Sequence, residues 1–213
     1  MATANTTHGG GVAAAYDALM WPFERAAIGT WRRRLAARAG GRVLEIGAGT
    51  GGQLRWYGAG LEVVALEPDP EMAARARRRA ARAQAEVRIV EGPAEALPFP
   101  DGSFDTAVAT FCLCTVGDPA AALAELHRVL VPGGRLLAIE HVHLSWQPGR
   151  RLQSLAAPAW ASVAGGCRLD RDTVAAVREA GFDLLEERRH VLGWIVELVA
   201  GRPFGLHERP VRG

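Results

Sequence analysis

The sequence predicts an α/β fold, a mostly parallel sheet with helices on both faces. Three observations predict it. Apolar runs suited to strands alternate strictly with helical stretches from Arg42 to Glu140, and such alternation gives parallel strands joined by crossover helices. The first run ends in a glycine-rich bend, Val43-Leu44-Glu45-Ile46-Gly47-Ala48-Gly49-Thr50-Gly51-Gly52. The second run closes on an acidic residue, Glu67, 20 positions after Gly47.

The elements follow in order. Residues 1–11 are small, polar and glycine-rich, and are expected to form a disordered tail; residues 12–213 are expected to be one domain. Tyr16, Leu19, Met20, Phe23, Ile28, Trp31 and Leu35 give residues 12–38 a helical pattern, with a break near Met20 before Pro22. This segment is either a lid over a pocket or an amphipathic packing helix. Strands are expected at Arg42–Ile46, Glu62–Leu66, Glu86–Glu91, Phe104–Thr110 and Arg135–Glu140. Helices are expected at Thr50–Tyr57, Pro70–Ala83 and Asp118–Leu130, the last ended by Pro132-Gly133-Gly134. The final third departs from this rhythm. Helices at Pro148–Trp160 and Asp170–Ala180, with Asp170 as N-cap, precede Phe182–His190 and Trp194–Ala200, an antiparallel pair at the sheet edge.

Composition narrows the function. A net charge of +2 calls for no nucleic acid. All 25 basic residues are arginine, so Schiff-base chemistry and a Walker-type phosphate lysine are excluded. Cys112, Cys114 and Cys167 make no disulfide framework and suit a reducing, cytoplasmic compartment. No signal peptide or transmembrane segment is expected, and the protein is expected to be a monomer or homodimer.

The spacing Gly47-x-Gly49-x-x-Gly52 matches a dinucleotide fingerprint, but Glu45 stands two residues before it. A carboxylate there repels a pyrophosphate and suits a ligand that carries positive charge. S-adenosylmethionine (SAM), with an ammonium and a sulfonium and no phosphate, fits better than NAD. The second mononucleotide half of an NAD domain is also missing. Glu45, Gly47, Ala48, Gly49, Thr50 and Gly51 are therefore expected to bind the cofactor, Glu45 toward its positive charge, and Glu67, followed by Pro68, to accept from ribose hydroxyls. Met72 and Ala94 are placed against adenine, and the backbone of Thr110 and Phe111 beside the methionine part.

The segments VLEIGAGTGG, VVALEPDPEMAARA, GPAEALPFPDGSFDTAVA and ELHRVLVPGGRLLAIEHV, in that order, resemble the class I SAM-dependent methyltransferases. The resemblance implies a Rossmann-like sheet of seven strands with an antiparallel last strand, and SAM as cofactor. Members often carry Asp at the position of Pro93, so adenine recognition passes to the backbone of Ala94 or Glu95. YDALMWPFERA, FCLCTV, IEHV and PAWASVAGGCRLDRDTVAAVREAGF look like the animal methyltransferase-like proteins that methylate small alkyl thiols. That narrower resemblance implies a small hydrophobic acceptor.

Methyl transfer from a sulfonium needs alignment in a dry pocket more than an elaborate catalytic group, and positioning alone is worth about 7–11 kcal/mol. A thiol acceptor benefits from deprotonation, since its free pKa is about 8.5. His141 and His143 follow strand five and are the expected catalytic residues, with Glu140 a further candidate. Tyr16, Trp21, Phe23, Trp146 and Trp160 are expected to line the acceptor pocket. Cys112-x-Cys114 lacks the partners for zinc, so no metal is expected, and Cys167 is given no chemical role. The expected function is SAM-dependent methyl transfer to a small hydrophobic acceptor, a thiol preferred. Alternatives are O- or C-methylation of a quinone-like, lipid or natural-product acceptor, an NAD-dependent oxidoreductase, or a silent SAM-binding domain.

Overall fold

The computed structural model describes residue 18, residues 27–163 and residues 165–204. Seven strands form one sheet: β1 (Arg42–Ile46), β2 (Glu62–Glu67), β3 (Glu86–Glu91), β4 (Phe104–Thr110), β5 (Leu130–His141), β6 (Asp183–His190) and β7 (Ile195–Gly201), in the order β3-β2-β1-β4-β5-β7-β6. β1 pairs in parallel with both β2 and β4, and β4 with β5; β7 alone is reversed, antiparallel to β5 and to β6. The expected antiparallel pair is present, with β7 inside it and β6 at the edge.

Side chains alternate across each strand, and the sheet is covered on both faces. Leu44 and Ile46 face one cluster, which α3 (Pro119–Val129) fills with Leu123, Leu126 and Val129 and α5 (Thr173–Glu179) with Val174 and Val177. Val43 faces the other, shared with Leu35 and Ala36 of α1 (Gly29–Ala36) and with Ala76 of α2 (Pro70–Ala80). Truncating such a buried leucine to alanine typically costs about 2–5 kcal/mol.

Residues 1–17 lie outside the described residues, as do Trp21 and Phe23, so the tail and most of the lid segment do too. The described end of that segment, α1, is a packing helix. Leu35 is fully buried, Trp31 stacks on His190 at 4.6 Å, and Arg38 forms a two-pronged pair with Glu186 at 2.6 and 2.7 Å.

Two expectations fail locally. No helix runs from Thr50 to Tyr57; turns lead into a short 3-10 helix at Leu54–Trp56, because Gly51 takes φ +85°, outside helical space. The N-cap of α5 is Asp172 rather than Asp170: the Asp172 carboxylate accepts from Ala175 N–H at 3.0 Å, while Asp170 pairs with Arg168. The helix predicted at Pro148–Trp160 extends over Gln147–Val163 as α4.

Candidate active site

The strand order reverses between β1 and β4, and open α/β sheets bind ligands at the carboxyl ends of strands on either side of such a reversal. The tips of β2, β1, β4 and β5 stand side by side there. They bring Glu67, the glycine bend, Thr110–Cys114 and Glu140–His143 onto one rim.

The cofactor half is built from backbone. Gly47 adopts φ +61°, and a Cβ on it would meet the Cys112 sulfur at 2.4 Å, so only glycine fits this crossing. Gly49, at φ +57°, has nothing within 4 Å of an added Cβ, so the bend is open above it. Glu67 is buried and bridges the rim: one oxygen accepts from Gly49 N–H at 2.7 Å, the other from Asp69 N–H at 3.0 Å. Burial raises its carboxyl pKa, and the two amides oppose that rise. Asp69 caps α2 by accepting from Glu71 and Met72 N–H, which places the half-buried Met72 on the first turn. Pro68 is exposed beside it and Ala94 is buried. The Glu95 side chain accepts from Gly117 and Asp118 N–H, so it closes the loop after β4. Arg79 donates to both the carbonyl and the hydroxyl of Thr50.

Two buried polar atoms here lack partners. Glu45 is 2% exposed and its Oε2 has no hydrogen-bond partner among the described residues; Thr110 Oγ1 is in the same position. Burial pushes the Glu45 carboxyl up to about 7 against the pull of the nearby Arg32 cation. Unpaired buried polar atoms are costly, and a ligand with an ammonium and hydroxyls would satisfy this set. The donor set therefore fits SAM. It fits a pyrophosphate poorly, since the buried carboxyl of Glu45 stands beside the glycine bend where the phosphates would lie.

The acceptor half is assembled from three distant segments. Phe111 has φ +54°, a strained conformation for a bulky residue, and its ring lies 4.7 Å from that of His141. The Glu140 carboxylate is fully buried and accepts from the N–H groups of Cys112, Leu113 and Cys114 at 2.9, 2.9 and 3.1 Å. Its oxygens are thus committed to holding the β4 loop, whereas the sequence offered it as a base. His143 is similarly occupied: Nε2 meets Asp172 at 2.8 Å, Nδ1 meets the Leu144 carbonyl at 3.1 Å, and Arg150 lies against the ring. His141 differs, because its Nδ1 faces two sulfurs, Cys114 at 3.7 Å and Cys167 at 3.4 Å. The thiol of Cys114 and the His141 ring hold Cys167 well below the ordinary thiol range, although burial opposes them.

Cys114, Cys167 and Gln153 also join this rim, although no sequence motif marks them. Gln153, buried on α4, donates to the carbonyls of Val142 and Leu169 and accepts from Leu144 N–H, tying the β5 tip to the loop that carries Cys167. No spacing rule announces such a tie. Trp146 and Trp160 are 55% and 40% exposed, with Trp146 packed over Gly149. Tyr16 and Trp21 lie outside the described residues.

The methyltransferase domain family matches residues 44–138, from β1 into β5. Human thiol S-methyltransferase TMT1A is 32% identical over 170 residues, which cover 76% of this chain and 68% of that protein. The chain belongs to the class I SAM-dependent methyltransferases. Demethylmenaquinone methyltransferase of Thermus thermophilus is 41% identical over 136 residues, 61% of this chain and 62% of that one. The chain spans only 51% to 64% of the length of this and two other curated methyltransferases that it matches. Among solved structures, a SAM-dependent methyltransferase from Thermotoga maritima superposes with a TM-score of 0.66 at 23% identity, over 89% of this chain and 95% of that one. The [4+2]-cyclase SpnF superposes at 0.64 and 23% identity, over 81% of each chain. These likenesses are of fold; methyltransferase architecture alone does not fix the reaction.

Proposed function

We propose that this protein transfers the methyl group of SAM to a small hydrophobic acceptor, a thiol in preference to an oxygen or carbon nucleophile. One observation carries the reading: the buried carboxylate of Glu67 spans the glycine bend and the start of α2, beside the unpartnered oxygen of Glu45. SAM supplies an electrophilic methyl on a sulfonium. Glu67 accepts from the ribose hydroxyls, Glu45 faces the ammonium, and Gly47 to Gly51 pass close beneath the methionine end. Met72, Ala94 and the backbone at Glu95 flank the adenine. The backbone of Thr110 and Phe111 borders the methionine part and leads to the acceptor side.

There His141 meets the acceptor's proton or thiolate, and His143, held by Asp172, positions the turn after β5. Trp146 and Trp160 offer apolar surface. Among the described residues no helix is long and apolar enough to cross a membrane, and three free thiols suit a reducing, cytoplasmic setting. The preference for a thiol is supported by the sulfur-lined end of the rim and by the similarity to TMT1A, which takes in more of the chain than the match to the Thermus relative.

The Thermus relative, with the higher identity, favours a quinone-like acceptor as the second reading. Incubation with labelled SAM and a panel of alkyl thiols, phenols and a demethylmenaquinone analogue tests both. The expected result is a methyl thioether from the thiol; methylation of the quinone ring alone would transfer the proposal to the second reading. S-adenosylhomocysteine should raise the melting temperature where NADH does not, and the reverse would overturn both.

A further inference from the structure

The cluster at the end of β5 carries an inference that is independent of the acceptor. Cys114 comes from the loop after β4, His141 from the tip of β5, and Cys167 from the loop before α5. Their three ligand atoms all lie within 4.8 Å of one another. We propose that Cys114, His141 and Cys167 bind one thiophilic divalent cation of the zinc class, through three protein ligands with a fourth position open to an exchangeable ligand.

The geometry supports this. Zinc–sulfur bonds of about 2.3 Å and zinc–nitrogen bonds of about 2.0–2.1 Å at tetrahedral angles require a sulfur–sulfur edge of about 3.8 Å and sulfur–nitrogen edges of about 3.6 Å. The observed edges are 3.5 Å between the sulfurs, and 3.7 and 3.4 Å from Cys114 and Cys167 to His141 Nδ1. One face of a coordination tetrahedron is thus already laid out to within about 0.3 Å, close to the tolerance expected of a metal site. Two sulfurs and one imidazole are a soft donor set that favours zinc over magnesium or calcium.

The supporting shell is also built. Glu140 holds the Cys114 amide at 3.1 Å, and the Cys114 carbonyl accepts from Arg168 N–H at 2.7 Å, which fastens the two cysteine loops together. Arg171 donates to the Leu113 carbonyl at 2.6 Å. Such outer contacts fix ligand direction and are a regular part of metal sites. Buried Leu169 and the half-buried Phe111 pack around the sulfurs. A divalent cation with two thiolates is neutral overall, which suits this apolar surround. The open position could take a water or the sulfur of a thiol, and a thiol that coordinates there gives up its proton to solvent. Metal binding is expected whether or not the acceptor assignment holds.

Cobalt(II), titrated into the full chain under argon with a phosphine reductant, is the probe. One equivalent should bind, with sulfur-to-cobalt charge-transfer absorption and the intense visible bands of a tetrahedral site, and zinc should displace it one for one. Cys167→Ser and His141→Ala should each weaken binding by more than the roughly 10–100-fold that outer-shell changes cost. Cys112→Ser, outside the cluster, should bind as the wild type does. Circular dichroism and S-adenosylhomocysteine binding identify variants that keep their fold. Should Cys114→Ser not fold, Cys167→Ser, altered in a loop, remains as the test. A reduced protein that takes up no cobalt overturns the proposal, even if its cysteines form a disulfide in air. Charge-transfer absorption that survives Cys114→Ser/Cys167→Ser overturns it equally.

Discussion

Replacing Glu140 by alanine tests how the two halves of the site are joined. Three backbone N–H groups, from Cys112, Leu113 and Cys114, point at its carboxylate, and all three bonds are buried. Hydrogen bonds to a charged group contribute about 1.5–3 kcal/mol each, but the carboxylate is wholly buried and its desolvation offsets part of the sum. Alanine leaves three buried donors without an acceptor, so the expected loss is about 3–5 kcal/mol, a large share of the roughly 5–15 kcal/mol that holds a typical domain. With a urea m-value of about 2–3 kcal/mol per molar, the unfolding midpoint falls by roughly 1–2 M. Glutamine discriminates further. Its single carbonyl oxygen can serve Cys112 and Leu113, which share one Glu140 oxygen, but its amide N–H groups then face the Cys114 N–H. Glu140→Gln should therefore fall between wild type and alanine. A midpoint for Glu140→Ala within fitting error of wild type would refute the reasoning. So would glutamine proving as damaging as alanine, because that would assign the effect to charge rather than to the three amides.

Glu45 makes stability depend on pH. Its folded pKa of about 7 lies above the ordinary carboxyl value of 4.5, so the folded state holds the extra proton between these values. Stability is then greatest below pH 4.5 from this group and falls as pH rises toward 7, by about 3 kcal/mol in total; Glu45→Gln should flatten that slope in urea titrations run from pH 5 to 8. Cofactor binding should strengthen as pH rises through about 7 in the wild type and lose this dependence in Glu45→Gln, as read by calorimetry with S-adenosylhomocysteine. Glu67→Ala should weaken S-adenosylhomocysteine by about 10–100-fold, the equivalent of one charge-assisted hydrogen bond, and unchanged affinity would remove its ribose role. Asp69→Ala deletes an N-cap that serves Glu71 and Met72 N–H and should cost about 1 kcal/mol by thermal unfolding, with no effect if the start of α2 is held by its contacts alone.

The cofactor half of the site was legible in the sequence because it is local. Glu45 to Gly52 is a continuous stretch, and Glu67 ends the neighbouring strand, so strand register brings the two together. The sheet was legible for the same reason, as alternating runs declare their strands. The acceptor half was not. Cys114 and Cys167 are 53 residues apart and meet only because Gln153 and Arg168 draw the later loop onto the β5 tip. Cys112 and Cys114 are neighbours in sequence, but the turn that follows β4, with Phe111 at φ +54°, aims Cys112 toward Gly47 and leaves Cys114 for the cluster. The helix expected at Thr50–Tyr57 does not form because Gly51, inside that span, takes a positive φ that the glycine-rich spacing alone does not reveal.

Two histidines two residues apart at the tip of β5 differ in what their ring nitrogens meet. Four successive residues there tie the strand to four different places. Glu140 holds the β4 loop, His141 faces the sulfurs, the Val142 carbonyl accepts from Gln153, and His143 is held by Asp172 and Leu144. Three of these residues are spent on holding the rim together. A histidine with both nitrogens engaged gains a proton-transfer role only by breaking contacts that position α5. A histidine whose nitrogen faces only polarizable sulfur keeps its lone pair or its proton within reach of a ligand. The acceptor-side chemistry we propose therefore falls to His141 and the two thiols, and His143 supports it from behind.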